Sequence, residues 1–251
     1  MELVNKIAER KNKEIYVEDG KVIKLFVASH PKSDILNEAL NQARVDENSN
    51  LNIPKLIEVK KYNDRWALVS EYIEGKTISE LMAEDPENFD KYLDLFVKVQ
   101  LTILANKVPL LTRIKEKFTR KLENAENIDS NTKYELLQRL QGMKNHDELC
   151  HGDYHPSNVI VTEDGTVYII DWSHVTQGNA AADAARTYLL FSMEENAELA
   201  DKYLTVFSKM SSIPKESVQR WIPIVAATQM TKNIPEEQEF LNKWISVVDY
   251  E

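Results

Sequence analysis

The chain has 251 residues, long enough for one large core or two modest ones, and its 43% hydrophobic and 29% charged residues are those of a globular rather than a disordered protein. Its 31 basic against 41 acidic residues give a formal net charge of -10, which argues against nucleic acid or an anionic membrane as partner and favours a cationic ligand. The single cysteine, Cys150, excludes an internal disulfide and a cysteine-built zinc site; no stretch approaches a membrane span and the N-terminus lacks a signal-peptide core, so a cytoplasmic location is expected.

In chain order, Leu3-Val4 with Ile7-Ala8, then residues 14–18 and 21–27, read as short strands, the last two joined by the tight turn Glu18-Asp19-Gly20. The link Glu9-Arg10-Lys11-Asn12-Lys13 is basic and free of glycine. Period-two geometry over 21–27 puts Val22, Lys24 and Phe26 on one face and Ile23, Leu25 and Val27 on the other. Lys24 is therefore flanked by apolar groups, where a lysine must find an anion or snorkel. Pro31, then Ser33 or Asp34 as N-cap, opens a helix over 34–43 with Glu38 at its middle. Strands at 54–60 and 66–71 flank the turn Asn63-Asp64, and residues 68–75 pass from an apolar strand to a break at Gly75 and a helix at 78–82. Helical spacing follows over 88–106, 111–124, 131–143, 181–193, 197–210, 214–229 and 235–247.

The segment CHGDYHPSNVIVTEDGTVYIIDWS, residues 150–173, carries the chemistry. Val159-Ile160-Val161 reads as a strand, Glu163-Asp164-Gly165 as a turn and residues 167–170 as a second strand ending at Asp171. An Asp at the end of an apolar strand, opposite a loop bearing Asp153 and Asn158, supplies hard oxygens that can share a divalent cation. The spacing H-x-D-x-x-x-x-N followed by a strand-end Asp matches the protein-kinase catalytic loop and its metal-binding Asp. Phosphoryl transfer needs those residue types, because its loose transition state leaves the protein to position groups and neutralise charge. Asp153 is then the base that orients an attacking hydroxyl, and Asn158 with Asp171 holds Mg2+ on the phosphates of ATP or GTP. Gly152 stands where protein kinases have Arg, and Trp172-Ser173 where they have Phe-Gly. A rival reading makes His151, Asp153 and His155 the zinc ligands of a hydrolase, but the two histidines lie in a loop restricted by Pro156 and are expected to shape it.

HGDYHPSNVI followed by IIDWSHVTQGNAAADAART resembles the aminoglycoside phosphotransferase family, relatives of the choline and homoserine kinases with a protein-kinase-like fold. The resemblance implies an α+β, two-lobed chain: residues 1–73 a nucleotide-binding lobe with a small antiparallel sheet and one helix, residues 74–251 a mainly helical lobe with the catalytic loop and acceptor site. It implies that Lys24 holds nucleotide phosphates, that Glu38 pairs with Lys24, and that backbone groups of Glu71, Tyr72 and Ile73 meet the base. Asp183 would brace the catalytic loop, or else serve as a helix-start charge on the dipole, and helix spacing offers Arg186 at i+3 as a partner. Residues 9–13 lie where kinases drape a glycine-rich loop, so phosphate contact falls to Arg10, Lys11 or Lys13, or the turn is simply solvated. The activity implied is Mg2+-dependent transfer of the terminal phosphate of ATP or GTP to a hydroxyl of a small molecule. The alternative, prompted by the glycine-free loop and by Ser173, is a nucleotide-binding module without turnover.

Overall fold

Alternating apolar residues in short segments separated by Asp-Gly and Asn-Asp turns build the first sheet. The structure, a computed structural model, describes residues 3–194 and 197–245. Strands β1 (Lys6–Arg10), β2 (Lys13–Glu18), β3 (Lys21–Phe26), β4 (Leu56–Tyr62) and β5 (Arg65–Glu71) form an antiparallel sheet in the order β1-β2-β3-β5-β4. Asp19, Asn63 and Asp64 take positive φ in its turns, the conformation short polar side chains tolerate best. Leu3-Val4 stays outside β1, with the Val4 N–H bound instead by Glu18 Oε1 at 2.7 Å.

Helix α1 (Lys32–Asn48) covers one face of this sheet. Its N-cap is Pro31, upstream of the expected Ser33 or Asp34; the fixed φ of Pro31 suits a helix entry, and it leaves no side-chain cap. Ile35 and Ala39 of α1 pack on Phe26 and Leu68, while Ile23, Leu25, Ala67 and Val69 form a separate cluster with Leu3, Tyr16 and Tyr62. The expected alternation in β3 is therefore observed, with Phe26 on the α1 side and Ile23 and Leu25 in the other cluster.

The residues group into two compact units, one formed by residues up to Asn88 with Pro156–His174 and the other by Phe89–His155 with Val175 onward. The division is not one cut in the chain. In the first unit β8 (Val159–Val161) and β9 (Val167–Ile169) form a hairpin that pairs with β6 (Lys76–Thr77), beside α2 (Ile78–Glu84). The Ile169 N–H also donates to Asn52 O at 3.0 Å, so the hairpin's backbone is satisfied within that unit.

The second unit is mainly helical: α3 (Phe89–Leu104), α4 (Ile114–Glu123), α5 (Ser130–Gly142), α6 (Ala180–Met193), α7 (Ala197–Ser211), α8 (Lys215–Gln219), α9 (Ile222–Met230) and α10 (Pro235–Ile245). A two-stranded ribbon of β7 (Glu148–Cys150) and β10 (Thr176–Gly178) runs among them. The single helix expected over 214–229 is two, because Pro223 sits at the start of α9 and cannot supply the N–H that a continuous helix needs. The expected helix end at Val247 lies outside the described residues. No helix among the described residues is long and apolar enough to cross a membrane.

Gly75 marks the entry to β6 under tight space, since an added Cβ would lie 2.6 Å from Val161 O and 2.8 Å from Ile160 Cγ2. Gly75→Ala is expected to lose about 1–3 kcal/mol of stability in urea unfolding. Gly142→Ala, where an added Cβ meets nothing within 4 Å, is expected to be neutral or to gain up to about 1 kcal/mol from helix propensity.

Candidate active site

Lys24 is the polar residue of β3 on the α1 side of the sheet, and it finds the anion its surroundings require. Its Nζ lies 2.7 Å from Glu38 Oε1 on α1 and 3.4 Å from Asp171 Oδ1 after β9, with the lysine side chain only 14% exposed. Burial alone would pull the ammonium's pKa down, but the Asp171 and Glu38 carboxylates outweigh it and hold Lys24 well above the ordinary lysine value. Glu38 is itself buried on the helix stripe that also carries Ile35, Ala39 and Gln42. Lys13 Nζ approaches the other Asp171 oxygen at 3.7 Å. The expected link over 9–13 is only the turn Lys11-Asn12, and of the three basic candidates Lys13, the first residue of β2, approaches an expected site residue.

Hairpin register explains why Asn158 and Asp171 sit together. Val159 pairs with Ile169 and Val161 with Val167, so the residue before β8 faces the residue after β9, and the Ile170 N–H donates to Asn158 O at 3.0 Å. Asp171 follows directly, at φ 64. A non-glycine residue in the left-handed region persists only where its surroundings fix it, here the hairpin on one side and the lysines on the other. Asn158 and Asp171 offer an amide and a carboxylate oxygen, hard donors too few to fill an octahedral shell. That set fits Mg2+, which keeps waters and takes phosphate oxygens for the rest.

In the second unit Gly152 takes φ 79, a conformation that an Arg at this position of the motif would adopt only with strain. Its N–H donates to Asp183 Oδ1 at 2.7 Å. Asp183 is 1% exposed and also accepts from Gln100 Nε2 at 3.1 Å, while Gln100 Oε1 accepts from the Tyr203 hydroxyl at 2.7 Å. Burial raises the Asp183 pKa, against the lowering effect of those hydrogen bonds. Thr187 Oγ1 donates to Tyr154 O at 3.0 Å, and Tyr154 stacks on Phe96 with ring centroids 4.3 Å apart. Asp183 therefore holds the loop before Asp153 from α6. Its expected ion pair with Arg186 is not formed: Arg186 Nη2 donates to Asp153 Oδ1 at 2.9 Å instead.

The remaining loop residues are structural. His151 is fully buried and its Nδ1 faces the Asp153 N–H at 3.3 Å, while His155 Nε2 lies 3.0 Å from Glu194 Oε1. Among the described residues no group of three or more His, Cys, Asp or Glu side chains could hold a metal, so the zinc-hydrolase reading finds no ligand set. Cys150 is buried, its thiol pKa pushed up by burial and by Asp183 and Glu148, which suits an inert filler rather than a nucleophile. At the expected hinge the Glu71 N–H donates to Lys55 O at 2.9 Å and the Tyr72 N–H to Gly20 O at 3.0 Å, with Tyr72 exposed and Ile73 buried.

A small antiparallel sheet that delivers a lysine to a helix glutamate and to an aspartate closing a hairpin, followed by a helical unit, defines a protein-kinase-like phosphotransferase fold. The chain belongs to the phosphotransferase enzyme family, whose sequence profile matches residues 6–215. Solved structures with the same fold include a thermostable mutant of aminoglycoside phosphotransferase APH(4)-Ia in ternary complex with AMP-PNP and hygromycin B, at 13% identity and TM-score 0.70 over 97% of this chain and 90% of that one. The choline kinase LicA from Streptococcus pneumoniae matches at 15% identity and TM-score 0.60, over 96% and 87% of the two chains. The GDP and kanamycin complex of APH(2")-IIia matches at 16% identity and TM-score 0.60, over 98% and 92%. Comparison with curated protein sequences finds no match.

Two outcomes follow from this geometry. In a double-mutant cycle of Lys24→Met and Glu38→Gln, unfolding free energies are expected to show a coupling of about 0.5–3 kcal/mol, and simple additivity would mean that the pair contributes nothing. Asp183→Asn must turn an amide N–H toward either Gly152 or Gln100, so it is expected to lose about 1–3 kcal/mol and to lower the melting temperature.

Proposed function

We propose that the protein transfers the terminal phosphate of ATP or GTP to a hydroxyl of a small molecule. The observation that carries this reading is Lys24, held between Glu38 at 2.7 Å and Asp171 at 3.4 Å. A buried lysine already matched by two carboxylates is oriented to meet a phosphate oxygen when a nucleotide brings one. The N-terminal part, residues 1–73, takes the nucleotide in this reading and residues 74–251 supply the catalytic loop and acceptor site.

Asp153 accepts the proton of the acceptor hydroxyl as its oxygen bonds to the terminal phosphorus. The bond from that phosphorus to the bridging oxygen breaks, and the nucleoside diphosphate leaves with the electron pair. Arg186 fixes one oxygen of the Asp153 carboxylate and so sets its rotation. Asn158 and Asp171 would hold Mg2+, which when bound neutralises charge on the phosphates. At the hinge the N–H groups of Glu71 and Tyr72 are engaged within the sheet, which gives the contact with the base to the Ile73 N–H and to backbone carbonyls there. A nucleotide-using enzyme of this kind works where ATP or GTP is abundant, and we propose the cytoplasm. The hygromycin B and kanamycin bound by two of the compared proteins support a small hydroxylated acceptor, and the net charge of -10 is compatible with amines on it.

Asp153→Asn is expected to lower turnover by roughly a hundred-fold to ten-thousand-fold while nucleotide affinity survives, as assay of phosphate transfer beside calorimetric nucleotide titration will show. Asp171→Ala is expected to remove the Mg2+ dependence of nucleotide binding, and equal affinities in mutant and wild type would withdraw the metal assignment. Stabilisation by Mg-ATP with no transfer to any of a wide panel of alcohols would leave a nucleotide-binding module instead.

A further inference from the structure

Arg186 is only partly accounted for by Asp153. The residue is 9% exposed; its Nη2 pairs with Asp153, but its Nη1 is buried and has no hydrogen-bond partner. A buried donor left unmatched is costly to keep, and guanidinium groups are built to grip oxyanions through two nitrogens at once. Other cations gather around it from separate elements. Lys117 and Lys121, both half-buried, lie one turn apart on α4, and Lys232 lies exposed in the turn after α9. Helices α4 and α6 each pack against α9, and Lys117, Lys121 and Lys232 each feel the charge of Arg186.

Their mutual repulsion weakens their hold on protons. Burial first, then Lys121, Lys232 and Arg186, push the Lys117 pKa down to about 7, with Asp153 opposing. Burial, then Lys232, Arg186 and Arg120, lower Lys121 to about 8. Lys232 is lowered by burial and Arg186, against Asp153 and Glu237. Among the groups that act on one another here, the cations outnumber the carboxylates Asp153 and Glu237. Like charges gathered around a buried guanidinium and two half-buried lysines lower stability, and they are relieved when an anion binds among them.

We infer that the acceptor carries an anionic oxyacid group, a carboxylate or a phosphate ester, beside the hydroxyl that is phosphorylated, and that Arg186, Lys121, Lys232 and Lys117 hold it. The word acceptor rests on the phosphotransferase reading above; the anion site itself does not, and amines elsewhere on the same molecule are compatible with it.

The test uses the full chain and four probes that share a diol and differ at one end: glycerol, 3-amino-1,2-propanediol, glycerate and glycerol 3-phosphate. Calorimetric titration is run with and without Mg2+ and AMP-PNP. The two anions are expected to bind at least about tenfold more tightly than glycerol or the amine, with the nucleotide analogue present as well as absent. Lys121→Gln and Lys232→Gln should each weaken glycerate several-fold while leaving the melting temperature unchanged or raised, because each removes a repelled charge; Lys121→Arg should restore affinity. A lysine that merely packs would lower stability when replaced and leave glycerate binding alone. Glycerate affinity should fall as pH rises through about 7 to about 8, where Lys117 and Lys121 lose their protons, and binding in that range should take up protons, seen as a heat that varies with the buffer.

Equal affinity for all four probes, or preference for the amine, overturns the inference. So does competition between AMP-PNP and glycerate, which would give the cations to the donor's phosphates. Anion preference with no phosphate transferred from ATP or GTP to any alcohol would strike the phosphotransferase reading and leave the anion site standing. Transfer to the amino alcohol without anion preference would do the reverse.

Discussion

A lysine ammonium on the covered face of a small sheet is the constraint from which the first unit is arranged. Left alone among Phe26, Leu68 and Ile35, such a group would shed its proton, since desolvation disfavours the charged form. Two carboxylates reverse that preference, and each must come from a different element: Glu38 from α1 and Asp171 from the end of the β8–β9 hairpin. Removing the lysine would leave two carboxylates facing each other without their shared cation, which costs more than the cluster gains over an apolar replacement. The sheet register, the helix stripe and the hairpin therefore have to be correct together for the lysine to be oriented.

Backbone conformation supplies the rest of the positioning. Asp171 at φ 64 turns its carboxylate toward Lys24 and Lys13 immediately after a strand whose last residues are fixed by Asn52 and Asn158. Gly152 at φ 79 presents its N–H to a buried Asp183 just before Asp153. Both positions use the left-handed region, yet they differ in chemistry. The first needs a carboxylate and accepts strain, whereas the second needs only the turn and is a glycine.

Much of this was legible from residue order alone, for identifiable reasons. A strand of period two with one lysine among apolar neighbours announces a buried cation, and Asp153, Asn158 and Asp171 stand at fixed offsets from a strand-turn-strand pattern whose register places the last two. Spacing along one helix was a poor guide to Arg186, because i+3 proximity on α6 names Asp183, while the long side chain reaches the loop and Asp153. The break between α8 and α9 was written in Pro223, but a run of apolar residues on both sides disguised it as one helix. The membership of residues 156–174 in the first unit depends on strand pairing with β6, a long-range contact that no local pattern encodes.

Local charge, rather than net charge, decides what a site can hold, and the two disagree in this chain. A total of -10 is spread over a surface rich in exposed Glu and Asp, where water and salt screen it within about 8 Å at physiological ionic strength. Arg186 is instead buried and Lys117 and Lys121 are half-buried, so their fields are less screened and, with burial, depress the lysine pKa values. On α4 the sequence shows only Lys-x-x-x-Lys on an amphipathic helix, which usually means a solvated face. The third and fourth cations come from elements far along the chain, so no local pattern on α4 announces the repulsion that, with burial, lowers the pKa values of its two lysines.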